Sequence, residues 1–359
     1  MKKKINHILP ALVLTASLGL TTVSCNGFLD EMPDNRTELN TDQKIAKLLV
    51  SAYADVSPNE LFELYSDNSD DSGPTYGYYK LSEQECYHWQ DTKEEYQDTP
   101  NSLWGGYYSA IAAANMALNA IEEKGNPASL DPQRGEALVC RAYCHFMLAN
   151  IFCNAYDTHA SQSLGVPYME EVETTVSPRY ERGTLEEVYR KVERDLLEGI
   201  DLISDDSYSV PKYHFTRKAA YAFAARFYLY YMKPDFSNCD RVIDFATRVL
   251  GTNPADLLRN WEALGNLSVN GNVQADAYIA SSNEANLLIS STVSNWGAIG
   301  SDYLIGPRYF HNQTLATSET CLSSGLWGSS DYFYLKPFST NGFVASILRK
   351  SGLYEGTYL

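Results

Sequence analysis

Apolar residues recur at helical spacing through most of the first 250 positions of the chain. The first stripe follows Asn40 and Thr41, two residue types favoured at helix N-caps. It consists of Ile45, Leu48, Leu49, Ala52, Tyr53 and Val56. A longer stripe predicts a helix over residues 101–123, ended by Gly125. Its face comprises Trp104, Tyr108, Ile111, Asn115, Leu118 and Ile121, of which Asn115 alone is strongly polar.

Two further helices have clear N-terminal signals. Asp131, an N-cap residue type, precedes Pro132 at the first helical position, and we expect the helix that continues to Ile151 to be largely buried. Thr184 and Glu187 have the spacing of a capping box, in which the two side chains bond backbone N–H groups at the helix start. A helix with an apolar face is therefore predicted to follow Thr184.

The next two predicted helices, 216–232 and 239–250, form a pair because the turn between them is short. In the first of them alanines alternate with aromatic rings, so small residues on one helix admit bulky residues from the next. Stacked helical hairpins pack in this way. No strict period of about 34 residues recurs. The pattern thus predicts a mainly α body built of helical pairs.

Two segments depart from this pattern and are rich in aromatic and turn-forming residues. One is an insert over 67–100, and the other begins near residue 266 and includes 287–292, which is compatible with a strand. Aromatic rings on loops offer flat apolar faces that stack on sugars, and tyrosine adds a hydroxyl group. The candidate ligand-binding residues are Tyr78, Tyr79, Trp89, Trp296, Trp327 and Tyr332.

The N-terminus has the anatomy of an export signal. Three lysines precede an apolar run of 13 residues, 8–20, and small residues lead into Cys25. The run is too short for the ~20 residues of a membrane-spanning helix. A cysteine at this place predicts a lipoprotein. Acylation of its thiol and of its freed amine adds several fatty-acyl chains, which together anchor a protein stably in a membrane. An ordinary secretory signal is the alternative, since Thr22 stands where lipoprotein signals usually carry Leu.

Composition narrows the range of partners. With 359 residues and 44% hydrophobic content the chain has enough material for one large domain or two. It carries 45 acidic against 28 basic residues, a net charge of −17, which argues against nucleic acid as a partner. The 27 tyrosines, 13 phenylalanines and 5 tryptophans favour a recognition surface, although rings on the predicted helices are expected to pack inside.

The cysteines of the third predicted helix, Cys140, Cys144 and Cys153, are interpreted as small buried hydrophobic residues. Cβ atoms at positions i and i+4 of a helix lie ~5–6 Å apart, beyond the ~3.8 Å of a disulfide. Cys144 and His145 are adjacent, but no second cluster with ligand spacing accompanies them. The sequence therefore predicts no metal site and no cofactor.

Four stretches together carry a more specific pattern. They are Cys25, Asn26, Gly27, Phe28, Leu29 and Asp30 with Pro33; 104–108 with Ile111 and Asn115; Gly135, Glu136 and Ala137 with Arg141, Ala142, Tyr143 and Phe146; and 216–230 followed by 242–250. In their order and spacing the chain resembles the SusD/RagB family of surface lipoproteins, which capture nutrients for an outer-membrane transporter.

The resemblance implies a fold and a role. The fold is an alpha-alpha superhelix of tetratricopeptide-like helical pairs with long loop-rich, partly β inserts. The role is that of a non-catalytic, lipid-anchored protein of the cell outer membrane, which binds oligosaccharides, or peptides in some members, and passes them to a SusC-like TonB-dependent transporter. Glycan contacts in the family come from aromatic side chains on variable loops, so no motif transfers site residues one by one.

The expected organisation has three parts. Residues 1–24 form the lipoprotein signal, 25–265 the SusD-like helical region and 266–359 an aromatic, loop- and β-rich segment. Because family members continue well beyond this length, the last segment is interpreted as the start of a truncated C-terminal region. The residues 282–286 also differ from the Asn-Pro-Glu-type turn that the family usually has before a strand.

Three alternatives remain open at this stage. The ligand is a peptide instead of a glycan; the chain is a surface glycoside hydrolase; or it is a helical-repeat scaffold for a protein partner. A hydrolase needs two carboxylates beside the scissile bond, for which the adjacent pairs Asp70 and Asp71, Glu94 and Glu95, and Asp205 and Asp206 are available. The sequence contains no Gly-x-Ser-x-Gly elbow, His-Glu-x-x-His motif or phosphate loop, which disfavours an enzyme.

Overall fold

The computed structural model describes residues 39–67, 69–75, 80–95, 97–175, 178–267, 273–294 and 308–310. Apart from Leu39, they belong to one compact unit, Asn40–Leu359. The α-helices are α1 Asp42–Leu48, α2 Asn59–Leu64, α3 Leu81–Tyr87, α4 Pro100–Glu123, α5 Asp131–Phe152, α6 Leu185–Leu202, α7 Arg217–Tyr230, α8 Cys239–Leu250, α9 Trp261–Gly265 and α10 Val273–Tyr278. Two short strands, β1 Asp70–Asp71 and β2 Tyr309–Phe310, pair antiparallel. The described fold is mainly α, as predicted.

Helices α1 and α6 begin where their capping residues predict. Thr41 caps α1 by accepting a hydrogen bond from the Lys44 N–H group. At the start of α6 both arms of the capping box form: the Glu187 N–H donates to Thr184 Oγ1 at 3.2 Å, and the Thr184 N–H donates to Glu187 Oε2 at 2.8 Å. These bonds satisfy backbone donors that a helix start would leave unpaired.

Two predicted boundaries were wrong. Asp131 is the first helical residue of α5 and Leu130 occupies the N-cap, because a 3₁₀ turn, Ala128–Leu130, runs directly into the helix. The first predicted helix does not reach Val56 with α geometry, because it tightens into a 3₁₀ helix over Leu49–Ala52. Both misplacements are local, and the apolar stripes still face the core.

The core forms where α5 packs between α4 and α6, and α7 packs on α8. Glycines let α5 and α6 approach closely: a Cβ atom added at Gly199 would lie 2.8 Å from the Gly135 carbonyl oxygen and 2.7 Å from Val139 Cγ2. On α7 small and bulky residues share the buried face, as predicted. Its fully buried members are Ala219, Ala220, Phe223, Ala224, Phe227 and Tyr228.

A buried polar network fixes the long connection between α5 and α6. Arg141 Nε donates to Asp195 Oδ2 at 2.6 Å, and the Tyr168 hydroxyl donates to the same oxygen at 2.7 Å. Asn115, the polar member of the α4 stripe, accepts from Arg141 and donates to the backbone carbonyls of Met169 and Glu171. The one polar position on that face is thus satisfied inside the core.

The C-terminal part of the described chain differs from expectation. Residues 287–292 form no strand, because they run along the helical body without a neighbouring strand among the described residues. Two backbone bonds hold this extended segment: the Ile289 N–H donates to the Lys212 carbonyl at 2.7 Å, and the Val293 N–H donates to the Asp55 carbonyl at 2.6 Å. The insert over 67–100, predicted as loop, contains α3. Within the described residues, no helix combines the length and apolar character needed to cross a membrane.

Candidate functional site

An open groove of about 620 Å³ lies among α2, the loop after α3, the start of α4 and the end of α5. Its aromatic side chains are Tyr65, Trp104 and Phe152, and Leu61 and Ile151 complete the apolar wall. Trp104 packs edge-on against Phe152, with ring centroids 5.1 Å apart. We call this the aromatic groove.

Trp89, a predicted site residue, does not itself line the aromatic groove, but it directly precedes Gln90 and packs on Tyr65, both of which do. Its ring stacks on Tyr65, with centroids 4.4 Å apart and planes inclined by 14°. Trp89 is nevertheless 72% exposed, so one ring face packs on Tyr65 while the side chain remains open to solvent. Burial raises the pKa of Tyr65 to about 12, which keeps its hydroxyl protonated.

The backbone of Trp89 is in a left-handed conformation, with φ of 56°. This conformation is costly for a residue with a Cβ atom and persists where the surroundings enforce it. Here the Trp89 N–H donates to the Cys86 carbonyl at 2.9 Å, and the Gln90 N–H donates to the Glu85 carbonyl at 2.7 Å. The turn that ends α3 therefore directs the indole over Tyr65.

A buried carboxylate holds the next part of the same loop. Glu85 is 2% exposed, and its Oε2 accepts from the Lys93 N–H at 2.9 Å. Its Oε1 lies 3.2 Å from Lys93 Nζ. The loop is thus tied back to α3 on both sides of Asp91 and Thr92, which line the groove.

The groove also presents polar side chains of different kinds. Gln90, Asp91 and Thr92 line it from the loop, and Asn101 lines it from the first turn of α4. Amides both donate and accept, a hydroxyl does the same, and a carboxylate accepts. Asn101 and Trp104 are three residues apart on α4 and so lie on one helix face. Flat apolar rings beside mixed hydrogen-bonding groups suit a ligand that has both kinds of surface.

The remaining predicted site residues, Tyr78, Tyr79, Trp296, Trp327 and Tyr332, lie outside the described residues, as does Cys25. Sequence reasoning missed Tyr65, Gln90, Asp91, Asn101 and Phe152 as groove residues, and it assigned Trp104 to helix packing alone. A usable signal was the exposed polar Asn101 one turn before Trp104 on the same helix face. The other missed residues come together only in the tertiary structure.

The cysteine and histidine side chains that were considered as metal ligands have structural surroundings. Cys140 and Cys144 are buried thiols, as predicted, whereas Cys153, also predicted to be buried, is half-buried. The ring of His145, fully buried, bonds the Arg141 carbonyl through Nδ1 and accepts from the Met169 N–H through Nε2. Among the described residues, His, Cys, Asp and Glu side chains form no cluster of three suited to a metal ion.

The acid pairs considered for hydrolysis are also engaged locally. The Asp71 carboxylate accepts hydrogen bonds from Nε and a terminal nitrogen of Arg308, at 2.6 and 2.7 Å. These bonds hold the pKa of Asp71 below its usual value. Glu94 accepts from the Ser82 N–H, and Asp205 accepts from the Arg217 N–H. One member of each pair therefore supports the backbone or an ion pair.

The aromatic groove belongs to a fold that other proteins share. The profile of a SusD-like family, described as starch-binding and associating with the outer membrane, matches residues 27–229. A SusD-like carbohydrate binding protein from Bacteroides vulgatus ATCC 8482 is similar, with 15% identity, a TM-score of 0.54 and coverage of 75% of this chain and 56% of that one. A putative sugar binding protein from the same organism has 21% identity and a TM-score of 0.51, covering 69% and 53%.

A third similar structure is a SusD superfamily protein, also from Bacteroides vulgatus ATCC 8482, with 17% identity, a TM-score of 0.51 and coverage of 80% of this chain and 58% of that one. Identities this low establish the fold alone. The chain spans between 53% and 58% of the length of these three proteins. A search of curated protein sequences gave no match. Because the family profile covers more than half of the chain and the described helices have the same fold as SusD-like structures, the chain belongs to the SusD/RagB family.

Proposed function

We propose that this protein is a non-catalytic lipoprotein of the cell outer membrane that captures oligosaccharides in the aromatic groove. The observation that carries the proposal is the exposed Trp89 ring, stacked on Tyr65 beside polar side chains. Family membership supports the ligand class, since the family is described as starch-binding. The names of two structural relatives, one a carbohydrate binding and one a putative sugar binding protein, agree with it.

The groove matches the two surfaces of a sugar. The C–H face of a pyranose ring packs on the open face of an indole, while its hydroxyl groups exchange hydrogen bonds with amides and carboxylates. Gln90 lines the groove from the loop after α3 and Asn101 from α4, so the hydroxyls of a bound sugar have hydrogen-bonding groups from two elements. With a volume of about 620 Å³ the groove lies within the range of small-ligand sites.

Binding without cleavage fits the chemistry of the groove. Among the described lining residues Asp91 is the one carboxylate, whereas glycoside hydrolysis uses two that flank the scissile bond. The lipid anchor at Cys25, and delivery of the ligand to a SusC-like TonB-dependent transporter, rest on the N-terminal sequence pattern and on the family resemblance. They complete the proposed role, which is capture at the surface before uptake.

The test is a panel of oligosaccharides, with starch fragments included, titrated calorimetrically into the purified full chain, followed by product analysis of each sugar that binds. We expect binding with the sugar recovered intact. Trp89→Ala should weaken binding about fivefold or more, because a stacked ring contributes roughly 1 kcal/mol or more to binding through its buried area and contacts.

Phe236→Ala is the matched control. Phe236 is 67% exposed and has the same positive φ of 56°, but it lies in the turn between α7 and α8 and, unlike Trp89, does not stack on a described residue that lines the groove. Its replacement should leave affinity unchanged. Cleaved products would replace the proposal with a hydrolase, and binding of peptides without sugars would indicate a peptide-binding member of the family. Equal affinity of Trp89→Ala and the wild type would remove the groove from the site.

A further inference from the structure

A second cavity, of about 300 Å³, shares no lining residue with the aromatic groove. It is enclosed by the segment 52–59 before α2, by α4, α5 and α7, and by the extended segment 288–292. Phe62 and Tyr230, at 39% and 45% exposure, lie at its rim and connect it to solvent. At ~30 Å³ per water molecule, the space holds on the order of ten non-hydrogen atoms.

The walls of this cavity are mostly apolar. Side chains of Val56, Pro58, Met147, Phe215 and Leu288 line it, together with tyrosine rings. The backbone bonds of Ile289 to Lys212 and of Val293 to Asp55 hold the segment 288–292 against the helices, so the outer wall is fixed at both ends. Walls of this kind accept a ring or a short hydrocarbon body. The lining also contains a smaller number of polar side chains, which are those of Ser57, Asn59, Ser290 and Thr292.

Charged character is confined to one part of the lining. Among the described lining residues, Arg226 is the one with a permanent charge, and none is an Asp or a Glu. This is unusual for a chain with 45 acidic and 28 basic residues. The guanidinium lies 5.7 Å from the centroid of the Phe146 ring and 5.8 Å from that of Tyr230, and these rings hold its plane in place.

Two tyrosine hydroxyls lie close to the same arginine. Tyr143 and Arg226 are hydrogen-bonded, and the charge of Arg226 also acts on Tyr107. Burial raises the pKa of both tyrosines, so each hydroxyl stays protonated and can donate a hydrogen bond. A guanidinium has five N–H donors in a planar fork that matches a carboxylate. Arg226, Tyr107 and Tyr143 therefore form a corner rich in donors beside the apolar walls.

We propose that this cavity binds a small carboxylic acid with an apolar, ring-sized body, and that Arg226 receives the carboxylate. The apolar body lies among Val56, Met147, Phe215 and Leu288, and the acid group meets the donors of Arg226 and the two tyrosines. The net charge of −17 opposes this ligand only weakly, because physiological salt largely screens exposed charges that lie more than ~8 Å away. The site is separate from the glycan groove and does not depend on the proposed capture of sugars.

The test uses 3-phenylpropionate and its neutral amide, each titrated calorimetrically into the purified full chain. The acid should bind at a single site, and the amide should bind at least tenfold more weakly, because a hydrogen bond to a charged group contributes more than a neutral one. Arg226→Met should weaken the acid about tenfold and change the amide little. Arg190→Met, an exposed arginine on α6 outside the cavity lining, is the control and should change neither.

Leu288→Trp locates the site, since the larger side chain fills the cavity and should reduce binding of both compounds. The comparison of acid and amide on the wild type remains decisive if a variant fails to fold. The proposal is overturned if folded wild-type protein binds no acid at millimolar concentration, or if it binds acid and amide equally. Equal acid affinity in Arg226→Met and the wild type would also overturn it.

Discussion

Trp89 combines two features at a single position, an exposed indole and a left-handed backbone. The positive φ is stabilised by two backbone hydrogen bonds at the end of α3 and by the stack on Tyr65. A residue with a Cβ atom in this conformation costs about 1–2 kcal/mol relative to the right-handed region. Glycine at this position would avoid that cost. The tryptophan therefore lowers the stability of the backbone turn while it supplies an exposed ring next to the groove.

Comparing Trp89→Gly with Trp89→Ala isolates the backbone cost, because both variants lose the same ring. We expect Trp89→Gly to exceed Trp89→Ala in free energy of unfolding by about 1 kcal/mol, although alanine usually favours folding over glycine. Denaturant unfolding of the two proteins measures the difference. A higher stability for the alanine variant would mean that the left-handed conformation does not survive loss of the indole.

His145 makes folding sensitive to acid. Its neutral ring donates from Nδ1 to a carbonyl and accepts an N–H at Nε2, so protonation would place two donors face to face. Burial lowers the pKa of His145 to about 3, from about 6.5 in the unfolded chain. Its stabilisation is complete above pH 6.5 and is lost as the pH falls toward 3, because the unfolded state binds the proton first.

The expected effect of His145 is a fall in the free energy of unfolding of about 1.4 kcal/mol per pH unit below pH 6.5, or ~2 kcal/mol by pH 5. Unfolding measured from pH 7 to pH 4 tests this, with His145→Gln as the reference. The variant should lose this part of the pH dependence while the carboxylates contribute equally to both proteins. Parallel curves for the two proteins would contradict the assignment.

Helix contacts depend on the absence of side chains at the crossing of α5 and α6. Gly135 and Gly199 bring the two backbones together, and a Cβ atom at either position would meet backbone atoms at 2.8 Å. Backbone cannot move aside as the end of a flexible side chain can. The pair of glycines therefore sets the separation of the two helices in the core.

Gly199→Ala should destabilise the protein by about 1–3 kcal/mol, the usual effect of overpacking. Gly105→Ala is a matched control, because Gly105 lies on an exposed part of α4 with no atom within 4 Å of an added Cβ. That change should stabilise by ~0.5–1 kcal/mol, since alanine favours a helix interior. Thermal or denaturant unfolding distinguishes the two signs. Equal effects would show that α5 and α6 adjust their separation freely.

At the scale of secondary-structure elements, the sequence predicted those features that depend on residues close together in the chain. The starts of α1 and α6 followed from Thr41 and Thr184, because a cap and its helix lie within a few residues. The short α3 was missed because its seven residues carry little periodicity and its buried Glu83 and Glu85 do not resemble a core face. Residues 287–292 are compatible with a strand by sequence but do not form one, because a strand needs a partner, which a single segment does not specify.

The aromatic groove could be predicted only in part for a related reason. Trp89 was chosen by residue type and by its place in an insert, and the structure puts it beside Tyr65. Asn101 and Phe152 line the same groove from α4 and α5. Positions this far apart in sequence come into contact through helix packing, and no local sequence pattern predicts such a contact. The predicted residues Trp296 and Trp327 stay predictions, because they lie outside the described residues.

For the whole molecule, attachment to a membrane is predicted to depend on one atom, the Cys25 sulfur. Cys25→Ser should abolish lipid incorporation and move the protein from the membrane fraction to the soluble fraction, because the remaining chain has a net negative charge. Fractionation and mass measurement of the mature N-terminus test this. Cys239→Ser is the control and should leave the protein in the membrane fraction. Membrane attachment of Cys25→Ser would favour the ordinary secretory signal and a different tether.

The Asp71–Arg308 ion pair joins positions 237 residues apart, beside the pairing of β1 with β2. Contacts so distant in sequence carry a large loop-closure entropy and form late during folding. On a chain that leaves the ribosome or a translocon from its N-terminus, Asp71 emerges long before Arg308. We therefore expect the helical core to assemble first. The pairing of β1 with β2 and the Asp71–Arg308 ion pair would then form last. Under mild denaturant the β1–β2 pairing and the Asp71–Arg308 ion pair should be lost before the helices unfold. Their loss would therefore report the first step of unfolding.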